Sequence, residues 1–351
     1  FSQAPSIDFD QISAVITAEL GASPTERFAS FEREPFAAAS LGQVHRATLE
    51  DGSEVAVKVQ YPGVADAMAE DMKNAAVVIK TLGLGTNLFD GKAYFNEVRD
   101  ELEQELDYHR ELGLLEDYRI YLQAWDDLRV PIAYPELCTR RVLTLERFDG
   151  PTVQEFVNRD TQPSREQAFR IGEQLTRAVY APFFIHRTIH ADTHPGNFIV
   201  LDDGSLGVLD FGSVKRFSVP FWQCFHRAVA IGLSDEPELL LDIMRDGGFS
   251  VGLSEDRARG LLRDIAVIVG RPLRGPYDFG EDRIVEDLKS ISARRATDFL
   301  RVRPPPEGIL FFRAVAGLTH NLRALGSAGD WRPFFQEMIE QVDIDAAEQS
   351  A

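Results

Sequence analysis

The chain has 351 residues, and 44% hydrophobic with 26% charged residues is the balance of a globular protein with a sizeable core, not of a disordered or fibrous one. A formal charge of −19 argues against nucleic acid and against an anionic lipid surface as the principal partner, and no apolar run is long enough to serve as a transmembrane segment. Two cysteines, Cys138 and Cys224, are too few for a disulfide framework or a thiolate metal site and point to a reducing, cytoplasmic setting. The first residue is Phe and no signal peptide follows, so the chain reads as one lacking its natural start.

From the N terminus, "SIDFDQISAVITAELG" sets Ile12, Val15, Ile16 and Leu20 at helical spacing, with Gly21 as the stop. The stretch from Phe28 to Gln60 alternates apolar and polar residues around Asp51-Gly52, predicting antiparallel strands joined by a tight turn. Inside it, "FAAASLGQVHRA" aligns with a phosphate loop of the form GxGxxGxV. Ala37 and Ala39 stand in place of the first two glycines, Ala38 and Ser40 lie between, and Gly42 and Val44 keep the pattern. Alanine narrows the backbone's choices and adds methyl groups where the chain would approach a phosphate, so a stiff loop is expected.

In "EVAVKVQ" the strand period puts Ala56, Lys58 and Gln60 on one face and Val55, Val57 and Val59 on the other. An ammonium on the less apolar face suits phosphates, as in a VAIK-type strand. Helices are expected over 64–82 and 91–123. On the second, Glu97, Glu101 and Glu105 follow one another at i, i+4 spacing and repel, so a nearby cation would relieve them. Glu101 is the expected partner of Lys58, with Glu105 and Asp107 next. "VLTLERFDG" then ends a strand at Glu146, a junction where backbone groups would hold an adenine.

A mixed lobe over 1–147 and a mainly helical lobe over 148–351 make an α+β chain. "SREQ" is a capping box at Ser164 for a helix ending near His186. In "HADTHPGNFIVLDDGSLGVLDFG" two apolar runs flank the turn "DDGS", predicting a hairpin with Asp192 and Asn197 before it and Asp210 after it. Magnesium prefers hard oxygen ligands, which Asn197 and Asp210 supply, and Asp192 is left to accept a proton from an attacking hydroxyl or to orient water. Turn propensity alone explains Asp, Asn and Gly in loops but not this set at this spacing. Arg294, Arg295, Arg301 and Arg303 in "ISARRATDFLRVRPPPEG" read as a solvated face without function.

In this order the pieces resemble the protein kinase superfamily, and their variants resemble its UbiB-type branch, the AarF-domain atypical kinases. "AAASLGQVH", "VAVKVQYPGV" and "HADTHPGN" with "LDFG" carry the likeness, over about residues 7 to 230. The resemblance implies a bilobal protein-kinase-like fold, ATP bound with Mg²⁺, and a link to isoprenoid quinone or lipid metabolism. By position it makes Lys58 the nucleotide-anchoring lysine, Glu101 its helix partner, Asp192 the catalytic aspartate, and Asn197 and Asp210 the metal ligands. The family's KxGQ segment does not occur; "SLGQ" lacks the lysine. No long activation segment and no APE motif follow "DFG", so the expected reaction is ATP hydrolysis or phosphorylation of a small, lipid-like or quinone-like molecule. Protein phosphorylation is not expected, and peripheral membrane contact is compatible with this reading.

Three rivals stand beside it. A small-molecule phosphotransferase of the aminoglycoside or choline kinase type would share the loop and the metal aspartate. A pseudokinase scaffold would bind nucleotide without turnover. His190, Asp192 and His194 also form an HxDxH alternation suited to a metal-dependent hydrolase.

Overall fold

Asp8 opens the first helix, α1 (Phe9–Leu20), by accepting from the Asp10 N–H, and Gly21 closes it in the left-handed region at φ 73°. Its buried face, Ile12, Val15 and Ile16, packs with Val55, Val57 and Val59 in one apolar cluster. Each valine removed from water contributes about 1.5 kcal/mol or more, which commits that side of the sheet to the core and leaves the other for polar work. The computed structural model describes residues 7–81, 96, 99–100, 102–159, 163–234 and 236–342. The chain divides into two compact units, Phe1–Pro151 with Leu201–Ser213, and Thr152–Val200 with Val214–Ala351.

In the first unit a five-stranded antiparallel sheet contains β1 (Ser30–Phe31), β2 (Ala37–Ala39), β3 (Gly42–Thr48), β4 (Glu54–Gln60) and β6 (Val142–Glu146), the main order being β1-β3-β4-β6 with β2 on β3. The turn between β3 and β4 is the one expected at Asp51-Gly52. Gly52 adopts φ 87° and the Asp51 carboxylate accepts from the Ser53 N–H at 2.9 Å. Register sets Ala37 opposite Val44, Val44 opposite Lys58, and Lys58 opposite Leu143. Directly paired residues share a face, so these four form one row across the sheet on the side away from α1.

Between β4 and β6 the described residues are mainly helical. The first helix, α2 (Val64–Thr81), appears where expected. The single helix expected over 91–123 does not: the chain turns at Leu106 and Asp107, and α3 begins afresh as Tyr108–Leu122. Three bonds impose the break. The Asp107 carboxylate caps α3 at the His109 N–H (3.0 Å), Gln60 Nε2 donates to the Leu106 carbonyl (3.0 Å), and the Tyr108 N–H donates to the Arg140 carbonyl (3.0 Å). The unit is completed by the strand Leu206–Val208, which runs parallel to β5 (Leu128–Arg129), Leu128 facing Leu206. Before that strand the "DDGS" turn closes with Leu201 N–H on the Ser205 carbonyl at 3.0 Å and Gly204 at φ 81°.

The second unit is mainly helical. Ser164 and Gln167 form the reciprocal capping box of the helix Arg165–His186, and Arg187 ends it at φ 61°. The short strand Thr188–His190 that follows pairs antiparallel with Val214–Arg216. Around them an aromatic core gathers Phe183, Phe217, Phe221, Phe225 and Phe311, with the Phe225 and Phe311 rings 4.1 Å apart. In the basic run near residue 295, Arg294 and Arg301 are exposed as expected, but Arg295 is not idle surface. Arg295 pairs with Asp264 (2.7 Å) and with the buried Asp298 (3.2 Å), and Arg257 also reaches Asp298, tying three segments together.

Candidate functional site

The strand period carries Lys58 out of the core face, and its ammonium meets two carboxylates. Nζ donates to Glu111 Oε1 and Oε2 at 2.9 and 3.0 Å and to Asp210 Oδ1 at 3.3 Å. The side chains of Lys58, Glu111 and Asp210 are 12%, 5% and 28% exposed. Lys58 and Asp210 are 152 residues apart in sequence, so this contact is a product of the fold and not of local chain geometry. The Tyr108 ring lies 5.0 Å from Nζ, at the reach of a cation–π contact.

Burial works against the ammonium, but Asp210 and then Glu111 outweigh it and hold Lys58 protonated well above its usual range. For Glu111 burial dominates: it pushes the carboxyl up to about 7 even though Lys58 pulls the other way. The Tyr108 hydroxyl is pushed up too, chiefly by burial. One ammonium thus faces two carboxylates in a partly dry setting.

Asp210 takes up a left-handed backbone conformation, φ 58°, unusual for a residue with a side chain. Its Oδ1 accepts from the Gly212 N–H at 3.3 Å, which supports the bend. Phe211 then points inward, fully buried, with its ring 5.2 Å from that of Tyr118. Glu111, Leu115, Tyr118 and Leu122 are all buried on α3. One face of one helix therefore holds the partner of Lys58 and the anchor of the residue next to Asp210, while Arg110 Nη1 reaches the Gly212 carbonyl at 3.4 Å.

The Ala-rich loop lies beside this cluster. Ala37 and Val44 share the Lys58 row, Ala39 is paired with Gly42 and Gly42 with Gln60, and Ala38 is on the opposite face with Gln43 and Val59. Ser40 occupies the turn between β2 and β3. Gly42 is glycine for the sheet's sake: a Cβ there would lie 2.1 Å from the Val59 carbonyl oxygen. Glu146 uses its backbone N–H on the Ile132 carbonyl (2.7 Å) and its carboxylate on the Ile132 N–H (3.1 Å), so it anchors the strand edge.

Of the residues expected to pair with Lys58, Glu101 lies outside the described residues. Glu105 has its Cγ near Gly212, and Asp107 is the α3 cap. Glu111 was not anticipated. The acidic stripe pointed to an unbroken helix, and the signal that could have found Glu111 is Asp107 read as a cap that restarts it.

In the second unit Asp192 and Asn197 meet as the spacing suggested. Asn197 Nδ2 donates to Asp192 Oδ2 at 2.9 Å and to its backbone carbonyl at 3.2 Å. A carboxylate can only accept, so the amide turns its donor toward Asp192 and Oδ1 is its remaining acceptor. His194 Nδ1 accepts from the Gly196 N–H at 3.1 Å, holding the loop's 3₁₀ turn, and His190 is buried with its ring 5.9 Å from Phe198. Among the described residues no three His, Cys, Asp or Glu side chains gather as a metal-donor set, which removes support from the HxDxH hydrolase alternative.

With this geometry in hand, comparison with known proteins is specific. Residues 1–234 match the family described as the ABC1 atypical kinase-like domain. The atypical kinase COQ8B, mitochondrial, of Rattus norvegicus is 33% identical over 304 residues, 85% of this chain and 56% of that protein. The atypical kinase COQ8, mitochondrial, of Saccharomyces cerevisiae is 27% identical over 303 residues, 85% of this chain and 59% of that protein. The chain thus spans little more than half the length of these relatives. Among solved structures, the complex of Rv3197 with erythromycin from Mycobacterium tuberculosis superposes with a TM-score of 0.72 and 27% identity, over 96% of this chain and 84% of that one.

Proposed function

Because this chain belongs to the ABC1 atypical kinase-like family, the UbiB-type group that includes AarF-domain and COQ8 kinases, we propose that it binds ATP with Mg²⁺ and transfers or hydrolyses the terminal phosphate. Its fold is the α+β, protein-kinase-like one. The observation that carries the proposal is the contact of Lys58 with Glu111 and Asp210, which joins the strand lysine to the "DFG" aspartate through a buried ion cluster.

Each residue has a role its surroundings support. Lys58 anchors α and β phosphates, with Glu111 fixing its direction from α3. Ala37, Ala39, Gly42 and Val44 line the phosphate loop, and backbone groups of the junction beyond Glu146, whose own N–H is taken by Ile132, receive the adenine. Asp192 accepts the proton of the attacking hydroxyl or water. Magnesium takes hard oxygen donors, and each unit offers one: the carboxylate of Asp210, 28% exposed, in the first, and in the second the Asn197 Oδ1 that the Asp192 contact leaves as acceptor. When bound, the ion supplies positive charge to the phosphate oxygens.

The acceptor is water or a small, lipid-like molecule such as an isoprenoid quinone precursor, met at a membrane surface if the molecule resides there. No helix of the described residues is long and apolar enough to cross a membrane. The Rv3197 protein was solved in complex with erythromycin, a small molecule and not a peptide, which supports a small-molecule ligand. The test is ATP turnover with Mg²⁺ by wild type, Asp192→Asn and Asp210→Asn. Mutation-sensitive turnover without peptide phosphorylation is expected. Nucleotide binding with no turnover in any form would instead establish the scaffold reading, and robust peptide phosphorylation lost in Asp192→Asn would overturn the acceptor assignment.

A further inference from the structure

The matched family region ends at residue 234, yet the loop that carries Asp192 is held by a helix well beyond it, Gly308–Leu325. Arg313 Nε donates to the Ala191 carbonyl at 3.1 Å, and its Nη2 stands 3.7 Å from Asp192 Oδ1. Two more bonds from the same helix fix the next residue: Thr193 Oγ1 donates to the Ala314 carbonyl (3.2 Å), and Asn321 Nδ2 donates to the Thr193 carbonyl (2.7 Å). The approach is close, since a Cβ at Gly317 would lie 2.1 Å from Thr193 Oγ1. Residues 313, 317 and 321 follow one another at i, i+4 spacing, so a single helix face clasps residues 191–193.

Asp192 is thereby held at both oxygens. Oδ2 receives the Asn197 amide, and Oδ1 faces the guanidinium of Arg313. The loop from His190 to Asn197 contains no lysine or arginine of its own, so the guanidinium that faces this carboxylate comes from another element. Side chains 46% and 40% exposed form an ion pair that adds little to folding stability. The guanidinium's geometric reach is to the carboxylate's Oδ1, the oxygen that the Asn197 amide does not hold.

We propose that Arg313 is a positioning residue for Asp192: it sets the plane of the carboxylate that takes the proton during phosphoryl transfer. The proposal rests on the assignment of Asp192 made above. Misdirecting a reacting group by about 1 Å can cost on the order of a hundredfold in rate, and loss of one of two anchors calls for part of that.

The experiment is single-turnover ATP hydrolysis with Mg²⁺ by the full chain, enzyme in excess so that small residual rates are read. Arg313→Gln should slow the chemical step about tenfold or more while leaving ATP affinity and the melting temperature unchanged. Arg313→Lys should recover part of the rate, because it restores the charge without the bond to Ala191. In an Asp192→Asn background Arg313→Gln should cause no further loss, as expected when one residue acts through the other. A wild-type rate in Arg313→Gln, or an equal loss with and without Asp192, overturns the inference. If Asp192→Asn itself retains the wild-type rate, the assignment of Asp192 falls first and the inference with it. If Asp192→Asn is slow and Arg313→Gln is not, only the inference falls.

Discussion

Lys58 is the residue on which the first unit's site depends, and its surroundings make its removal costly in a particular way. Lys58→Met leaves Glu111, whose side chain is 5% exposed, without its cation. Breaking a buried pair from one side costs about 3 to 5 kcal/mol, but Glu111 can escape part of it by taking up a proton. Urea unfolding should therefore show Lys58→Met destabilised by about 3 kcal/mol at pH 8 and by clearly less at pH 6. An equal loss at both pH values would mean that Glu111 does not respond to Lys58.

Glu111 gives a second prediction at the same scale. Its folded carboxyl is raised from 4.5 to about 7, so between those values the folded chain keeps a proton that the unfolded chain has released. The stabilising contribution is complete below 4.5 and is lost as pH rises through about 7. Relative to Glu111→Gln, the wild type should lose on the order of a few kcal/mol of stability from pH 5 to pH 8. A pH-independent difference between the two would contradict the burial argument.

At the scale of elements, α3 is the organising piece, because Glu111 and Tyr118 on its buried face serve Lys58 and Phe211 respectively. Its start depends on Asp107, and Asp107→Ala should cost about 1 kcal/mol in chemical unfolding while weakening nucleotide binding more than the loss of stability alone explains. Unchanged nucleotide affinity would mean that the position of α3 does not govern Lys58. Gly42→Ala should be strongly destabilising, since the added carbon would meet the Val59 backbone oxygen at 2.1 Å and not a flexible side chain.

What was legible in the residues follows from range. The hairpin at Asp51-Gly52, the capping box at Ser164 and the Asp192–Asn197 contact are decided within a few residues and were readable. The break before Tyr108 depends on Gln60 and on the Arg140 carbonyl, both far away in sequence, so the periodic acidic stripe reads as one continuous helix and gives no sign of Glu111. Arg294 and Arg301 are exposed as their pattern suggests, but Arg295 is not idle, because Asp264, 31 residues away in sequence, is its neighbour in the fold. For Gly42 the pattern gives a place in a phosphate loop, and the structure adds a constraint of longer range, the close approach of the β4 backbone at Val59.

For the whole molecule, a net charge of −19 makes every polyanion a poor partner unless a local cluster overrides the general repulsion. Under the proposed function ATP is the exception, because its Mg²⁺ offsets the phosphate charge while Lys58, already facing Glu111 and Asp210, supplies the one ammonium of the site. Duplex DNA and vesicles of anionic lipid should show no sedimentable binding at about 0.1 M salt, where the Debye length is about 10 Å. Binding of either comparable to that of ATP would show a basic surface that the sequence and the described residues do not reveal.

The central claim is that Lys58 anchors a magnesium-bound nucleotide. Calorimetric titration of ATP with Mg²⁺ into wild type and Lys58→Met, each verified as folded at the working temperature, tests it most directly. Saturable one-site binding by the wild type, weakened at least about tenfold, or 1.4 kcal/mol, in Lys58→Met and diminished when Mg²⁺ is chelated, is the predicted result. Equal affinity of the two proteins for ATP would contradict it.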